Sequence, residues 1–362
     1  MKKKKVVVAM SGGVDSSVAA VLLLQQGYEV IGLTMEFFAL PPDICDQPNW
    51  RSYYSRGAGE RAKEVAAKLG IPHYFVDFKA AFEDYVVKDF CQEYFQGRTP
   101  NPCIRCNKFL KFDLFWTKAQ QLGADFIATG HYARIEYNWR KSLYYLKKAK
   151  DKNKDQSYFL YSLTQAQLAR ILFPVGNYTK KEIRQIDRQF GLASADREES
   201  QEVCFIPDQD YVRFLRERNP QAFQPGLIVD ENNQQLGNHQ GIAGYTIGQR
   251  RGLGIAFSHP LYVIALRPAK NEVVVGPEKS LYRRCLIASQ VNFIVPPPPK
   301  RFKAKARLRY RHQEAEAFIQ CLNTTKIRVE FLNPQRAITP GQSVVLYKGN
   351  IVLGGGVIDE VF

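Results

Sequence analysis

The stretch Val6-Val7-Val8-Ala9-Met10-Ser11-Gly12-Gly13-Val14-Asp15-Ser16-Ser17 decides the fold. Its first five residues are apolar and rich in β-branched side chains, which reads as a buried strand, and Val14 to Gln26 reads as a helix closed by Gly27. Glycines at the junction let backbone N–H groups approach an anion closely. The helix N-terminus adds partial positive charge, and Ser11, Ser16 and Ser17 can donate hydroxyl hydrogen bonds. This is a phosphate cradle, yet no Gly-Lys-Ser/Thr follows, so it is not a Walker A loop. Asp15 inside the cradle would repel phosphate unless a Mg²⁺ ion bridges the two.

Working outward, Glu29 to Met35 and His73 to Asp77 read as further strands, with a helix from Ala58 to Leu69 between them. Phe82 to Phe95 and Asn107 to Leu122 read as helical, and Asp125 to Thr129 as another strand. Strands alternating with helices predict an α/β chain with a doubly wound parallel sheet. The stretch 39–55 reads as an irregular insertion. After about residue 205 the pattern changes to short β segments, among them Tyr262 to Leu266, Glu272 to Val275, Lys326 to Leu332 and Ser343 to Tyr347. Pro296 to Pro299 read as a stiff connector or an extended strand entry. The expected division is a nucleotide-binding catalytic domain over 1–206, a small β-rich domain over 207–282 and a second β domain over 283–362.

The chain has 362 residues, 45% hydrophobic and 24% charged, which excludes a mainly disordered, collagen-like or coiled-coil design. No apolar run approaches the length of a membrane span, and the five residues after Met1-Lys2-Lys3-Lys4-Lys5 are too few for a signal-peptide core. A soluble, cytoplasmic protein is expected. A net charge of +16 points to a polyanionic partner, because neutralising phosphate releases counterions. Seven cysteines in such a chain argue against a disulfide framework and turn attention to thiol chemistry or metal ligation.

Arg98-Thr99-Pro100-Asn101-Pro102-Cys103-Ile104-Arg105-Cys106-Asn107-Lys108 sets a Cys-x-x-Cys in a proline-rich turn before a helix. The helix N-terminus, Arg98, Arg105 and Lys108 should all favour thiolate. No second Cys-x-x-Cys completes a zinc site, and no metal site is expected. Cys204 follows in Gln201-Glu202-Val203-Cys204-Phe205-Ile206-Pro207, a context uninformative by itself, and Cys45, Cys91, Cys285 and Cys321 have no setting that suggests chemistry either.

Arg301-Phe302-Lys303-Ala304-Lys305-Ala306-Arg307-Leu308-Arg309-Tyr310-Arg311 alternates without a slip. At a period of two this predicts a strand with one core face and one wholly cationic face, suited to an RNA backbone. Tyr310 breaks the simple reading, since it is either core or contact. A second basic cluster runs from Lys147 to Lys154.

Together these segments resemble the tRNA-specific 2-thiouridylase family of pyrophosphate-loop ATPases. The resemblance runs through Ala9 to Ser16, Gly32-Leu33-Thr34-Met35, Arg98 to Pro102, Cys106-Asn107-Lys108, Ala128-Thr129-Gly130-His131-Tyr132-Ala133-Arg134 and Lys154-Asp155-Gln156-Ser157-Tyr158-Phe159-Leu160. It continues through Val203-Cys204-Phe205-Ile206, Gly244 to Gly254, Arg307 to Arg311 and Thr339-Pro340-Gly341-Gln342. It implies an adenine nucleotide alpha hydrolase-like domain followed by two small β domains, the last a β-barrel. The implied reaction uses ATP with Mg²⁺ to adenylate the C2 oxygen of the wobble uridine (position 34) of tRNA and then replaces that oxygen by sulfur. It further implies that Cys204 carries the sulfur as a persulfide delivered by a donor protein, and that Cys106 is its partner nucleophile. Ala9, Met10, Ser11, Gly12, Gly13, Val14, Asp15, Ser16, Met35 and Gly130 match the family's ATP pocket. His131, Lys154, Asp155, Gln156, Arg309, Tyr310 and Gln342 match its tRNA contacts, though His131 also reads as a core histidine. Many members carry Asp where this chain has Cys103, which leaves that residue without an assigned role. Cys103, Cys106 and Cys204 would also supply three ligands to an iron–sulfur cluster, a less favoured reading. A monomer is expected. The rival function is a pyrophosphate-loop ligase acting on a small molecule, and an RNA-binding module with a vestigial ATP site is a third reading.

Overall fold

The computed structural model describes residues 3–38, 56–192, 203–206, 208–296 and 300–362. The insertion at 39–55, Cys45 and most of the proline run lie outside them. Seven strands precede residue 173: β1 (Lys5–Ala9), β2 (Glu29–Glu36), β3 (His73–Asp77), β4 (Phe126–Ala128), β5 (Ala133–Asn138), β6 (Leu143–Lys148) and β7 (Ile171–Leu172). Five of them form the expected parallel sheet in the order β3-β2-β1-β4-β7. In β1, Val6, Val7 and Val8 are completely buried, Val7 in the core on one face and Val6 and Val8 in the core on the other. That double burial explains why the strand reads as a continuous apolar run rather than an alternation. Val14–Gln25 and Lys180–Gln189 cover the Val6 and Val8 face, and the helical stretches 79–95 and 102–121 cover the other. The order of the strands reverses between β1 and β4, which is where doubly wound sheets bind ligands.

Sequence periodicity missed the antiparallel hairpin of β5 and β6, because both strands are half-exposed and carry no clean alternation. The middle unit holds β8 (Gly226–Val229), β9 (Gln235–His239), β10 (Tyr262–Arg267) and β11 (Glu272–Gly276) in the order β10-β11-β8-β9. The last unit comprises β12 (Tyr282–Phe293), β13 (Arg301–Arg307), β14 (Ala315–Cys321), β15 (Ile327–Arg336), β16 (Ser343–Lys348) and β17 (Ile351–Val361). Its strands run β12-β15-β14-β13-β16-β17, and pairing of β12 with β17 closes them into a six-stranded barrel. Ile351 of β17 also pairs with Lys147 of β6, so the hairpin from the first unit extends the barrel's sheet.

The segment 98–102 joins all three units. Arg98 is ion-paired with Glu93 (2.8 Å) and with Asp359 of β17 (3.1 Å), and it donates to the carbonyl of Ile358. The Thr99 N–H donates to the Pro340 carbonyl at 2.9 Å, and the Thr99 hydroxyl lies 3.4 Å from that of Thr246 in the middle unit. Gln342 Nε2 donates to the carbonyls of Thr99 (2.9 Å) and Pro100 (3.0 Å). Gly341, at φ +89°, leaves no room for a side chain, since a Cβ there would lie 2.8 Å from the Thr99 nitrogen. Among the described residues no helix is long and apolar enough to cross a membrane.

Candidate functional site

The phosphate loop sits at the carboxyl end of β1. Gly13 is the N-cap of Val14–Gln25 and offers no side chain, so the first N–H groups of that helix face outward without a capping oxygen. Gly12 takes φ +69°, and a Cβ on it would strike the Ala58 carbonyl. The hydroxyls of Ser16 and Ser17 donate to the Gly13 carbonyl at 3.0 Å, and the Ser11 N–H donates to Ser16 Oγ at 3.2 Å. Gly130, just after β4, crosses the loop so closely that a Cβ would lie 2.8 Å from the Asp15 carbonyl carbon and the Ser16 nitrogen. Met10 and Met35 are buried beside the loop. Thus Ala9 to Ser16 and Gly130 meet at the switch point of the sheet, while Met35 lies on the neighbouring strand β2.

Asp15 differs from its sequence reading. Lys180 Nζ lies 2.7 and 2.8 Å from the two carboxylate oxygens, and the Tyr132 hydroxyl donates to Oδ1 at 2.7 Å. The charge that would repel phosphate is therefore already neutralised by a lysine that is only 7% exposed. With both oxygens engaged, Asp15 is not offered to Mg²⁺ in this arrangement. Nothing in the local sequence pointed to Lys180, which lies 165 residues from Asp15.

The cysteine centre lies on the other side of the sheet. Cys103 is on the helical turn Pro102–Arg105, capped by Asn101 Oδ1, and Cys106 opens a π-helical run, Cys106–Leu114. Its wider register is seen where the Phe115 N–H donates to the carbonyl of Leu110, five residues back. Asn107 anchors the run by donating to the Phe159 carbonyl at 3.1 Å. Cys106 is buried in the core on this face, Cys204 is half-buried against it, and Cys103 is exposed. The described cysteines are all thiols.

Burial pushes the Cys106 thiol up to about 11, against a partly offsetting pull from Lys111. Burial raises Cys204 further, and Cys106 and Cys103 add to the rise, so the three sulfurs stand within electrostatic reach of one another. The cations expected to favour thiolate are committed to other partners. Arg98 is turned to Glu93 and Asp359, Arg105 pairs with Asp89 at 3.1 Å, and both Arg105 and Lys108 lie over the Phe109 ring. The cation acting on the thiols is Lys111, which was not singled out from the sequence. Among the described residues no group of three or more His, Cys, Asp or Glu is arranged to hold a metal ion.

The residues matched to tRNA contacts divide into two sets. His131 bonds Thr129 Oγ1 through Nδ1 at 2.7 Å and packs against the rings of Phe112 and Phe173. Enclosure by its neighbours, reinforced by Lys111, holds its pKa well below the usual histidine range. Asp155 is buried and accepts from the Ala149 N–H (3.1 Å) and the Ser157 hydroxyl (2.9 Å), with Arg307 at 3.4 Å. It is a structural carboxylate, not one offered to a base edge. Gln156 Oε1 accepts from the Tyr132 N–H, and Gln342 is committed to the 98–102 segment. Tyr310 is half core, its ring 4.6 Å from that of Phe159. Arg309 is exposed and Lys154 half-exposed.

The cationic strand is shorter and less bare than its alternation suggests. β13 ends at Arg307, so Arg309 to Arg311 lie in a turn. Arg307 swings inward to Asp155 and the Tyr310 carbonyl, while Lys305 faces Glu316 across the sheet and Arg301 lies 3.8 Å from Glu330. Of the basic cluster, Lys147 and Lys148 end β6 and pair with Glu136 and Glu314.

Comparison with known proteins agrees with this architecture. Residues 4–208 match a family model described as "tRNA methyl transferase HUP domain", residues 212–277 one described as "tRNA methyl transferase PRC-barrel domain", and residues 283–358 one described as "Aminomethyltransferase beta-barrel domain". The chain is 48% identical over 359 residues to the tRNA-specific 2-thiouridylase MnmA of Carboxydothermus hydrogenoformans, covering 99% of this chain and 98% of that one. It is 50% identical over 362 residues to the tRNA-specific 2-thiouridylase MnmA of Clostridium kluyveri, covering 99% of each. Among solved structures, a 4-thiouridine synthetase–RNA complex with bound ATP has 19% identity and a TM-score of 0.37, over 60% of this chain and 50% of that one, too distant to argue from.

Proposed function

The chain belongs to the tRNA-specific 2-thiouridylase family, and from that premise we propose that it thiolates the wobble uridine of tRNA in two steps, at the phosphate loop and at the cysteine centre. The observation that carries the reading is the approach of Cys204 to Cys106, two thiols from distant parts of the chain, in a molecule that also carries a loop suited to pyrophosphate.

The C2 oxygen of uracil is a poor leaving group. In the first step it attacks the α-phosphorus of ATP, the α–β bond breaks, and pyrophosphate departs toward the N–H groups and hydroxyls of residues 11–17. The oxygen then leaves as part of AMP. Cys204 carries a persulfide received from a donor protein. Its terminal sulfur attacks C2 and expels AMP. The Cys106 thiolate next attacks the inner sulfur of Cys204, the S–S bond breaks toward the base, and 2-thiouridine is released. Attack by Cys106 before C2 is reached would instead release hydrosulfide as the nucleophile. Either order leaves a Cys106–Cys204 disulfide, which an external dithiol reduces with two electrons.

Arg309 and Lys154 are suited to phosphate of the tRNA, and their contacts would position the substrate without reading sequence. His131, neutral and facing the thiol side, would stand near the target base. An enzyme acting on tRNA would work in the cytoplasm. A small-molecule ligase shares the ATP loop but has no use for paired thiols. Incubation with tRNA, ATP, Mg²⁺ and a sulfide source, followed by nucleoside mass spectrometry, tests the reading. The expected product is 2-thiouridine at position 34. Pyrophosphate release indifferent to tRNA, with sulfur or nitrogen transferred to a small molecule, would replace this reading with the ligase.

A further inference from the structure

Lys111 lies five residues beyond Cys106 on the π-helical run. On an α-helix that spacing would leave the two side chains about 140° apart. With hydrogen bonds from i to i+5, Lys111 instead returns to the Cys106 side one turn on. Cys103, three residues before Cys106, falls on the same flank. Cys204 arrives from the segment 203–206 and His131 from the turn after β4. The charge of Lys111 acts on each of these four titratable groups. Lys111 is half-buried, and among the described residues no carboxylate pairs with it.

A buried sulfur nucleophile needs its negative charge compensated, or the proton stays on. Arg98 and Arg105 are spent on carboxylates, and His131 is held neutral. We propose that Lys111 is the cation that stabilises the Cys106 thiolate and the persulfide anion on Cys204, a positioning residue brought to the sulfurs by the π-helical register. The part concerning the persulfide rests on the function proposed above, whereas the part concerning the thiolate stands without it.

The test is the pH profile of iodoacetamide alkylation at Cys106 and Cys204, read by peptide mass spectrometry on the full chain. Lys111→Met keeps the apolar stem and removes the charge, while Lys111→Arg keeps the charge. K111M is expected to alkylate about tenfold more slowly at a fixed pH below the midpoint, with the profile moved up by about one pH unit. K111R is expected to stay close to the parent, and ATP affinity should be the same in all three. An unmoved profile in folded K111M overturns the proposal. Should K111M not fold, a K111R profile displaced as far as the one-unit shift overturns it, and a K111R profile matching the parent supports it. Because alkylation needs neither tRNA nor ATP, a shifted profile in a protein that thiolates no tRNA would keep the inference and reject the proposed function.

Discussion

In the phosphate loop, seven consecutive residues, 11–17, present uncapped helix N–H groups and hydroxyls, and the one opposing charge, Asp15, is already balanced by Lys180. In the cysteine centre, residues from three separate segments converge, Cys106 is buried and Cys204 half-buried, and the pKa values of both are raised. The first region is ready for its anion before the substrate comes. The second holds protonated thiols at neutral pH and needs a cation to become reactive. The contrast fits an order of events in which adenylation precedes sulfur transfer, and it also protects the thiols from adventitious oxidation between turnovers.

The comparison is broken most severely by Cys204→Ser. Thiolation is expected to fall by more than about a thousandfold, as for loss of a nucleophile, while tRNA-dependent pyrophosphate release persists. Parallel loss of both activities would show that the two regions are not separable. Next in size is Lys180→Met, which leaves the Asp15 carboxylate uncompensated in a mostly buried setting. About 3 kcal/mol of stability should be lost in denaturant unfolding, together with pyrophosphate release. Adding Asp15→Asn should recover much of the stability, and no recovery would mean that Lys180 acts elsewhere.

A smaller effect follows from the thiols. With Cys106 raised to about 11 by burial, its neutral form prevails below that pH, and alkylation should climb tenfold per pH unit from 7 towards 11. A plateau near pH 8 would show that the site is better charged-balanced than its burial implies. The smallest effect is Arg309→Ala, expected to weaken tRNA binding and reduce the salt slope by about one, with ATP binding intact. Equal loss of ATP affinity would make the turn after β13 structural.

The two regions also differ in how far they could be read from sequence. The strand, the glycines and the hydroxyls of the phosphate loop are neighbours in the chain, so local chemistry sufficed. Lys180 was invisible because its meeting with Asp15 depends on how two distant helices pack on one face of the sheet. Around the cysteines, local reasoning chose the wrong cations. Arg98, Arg105 and Lys108 are closest in sequence, but their partners Glu93, Asp359, Asp89 and Phe109 draw them off. The resemblance singled out Cys106 and Cys204 but said nothing of burial, and burial decides their ionisation. In the barrel, the alternation of residues 301–311 was legible while the acids opposite were not, since Glu316 and Glu330 lie on other strands. Asp155 and Gln342 were read as polar contacts for RNA. Their hydrogen bonds turn out to hold the protein's own segments together.

The central claim, that sulfur passes from Cys204 to a base activated at the phosphate loop, is tested by one single turnover. The enzyme is loaded with isotopically labelled persulfide, freed of excess sulfur and mixed with tRNA and ATP, and the label in 2-thiouridine is counted against AMP. The account predicts at most one labelled base per enzyme, one AMP for each, a Cys106–Cys204 disulfide afterwards, and no label transferred by the Cys204→Ser variant. Equal label from that variant, or labelled base formed without AMP, would contradict it.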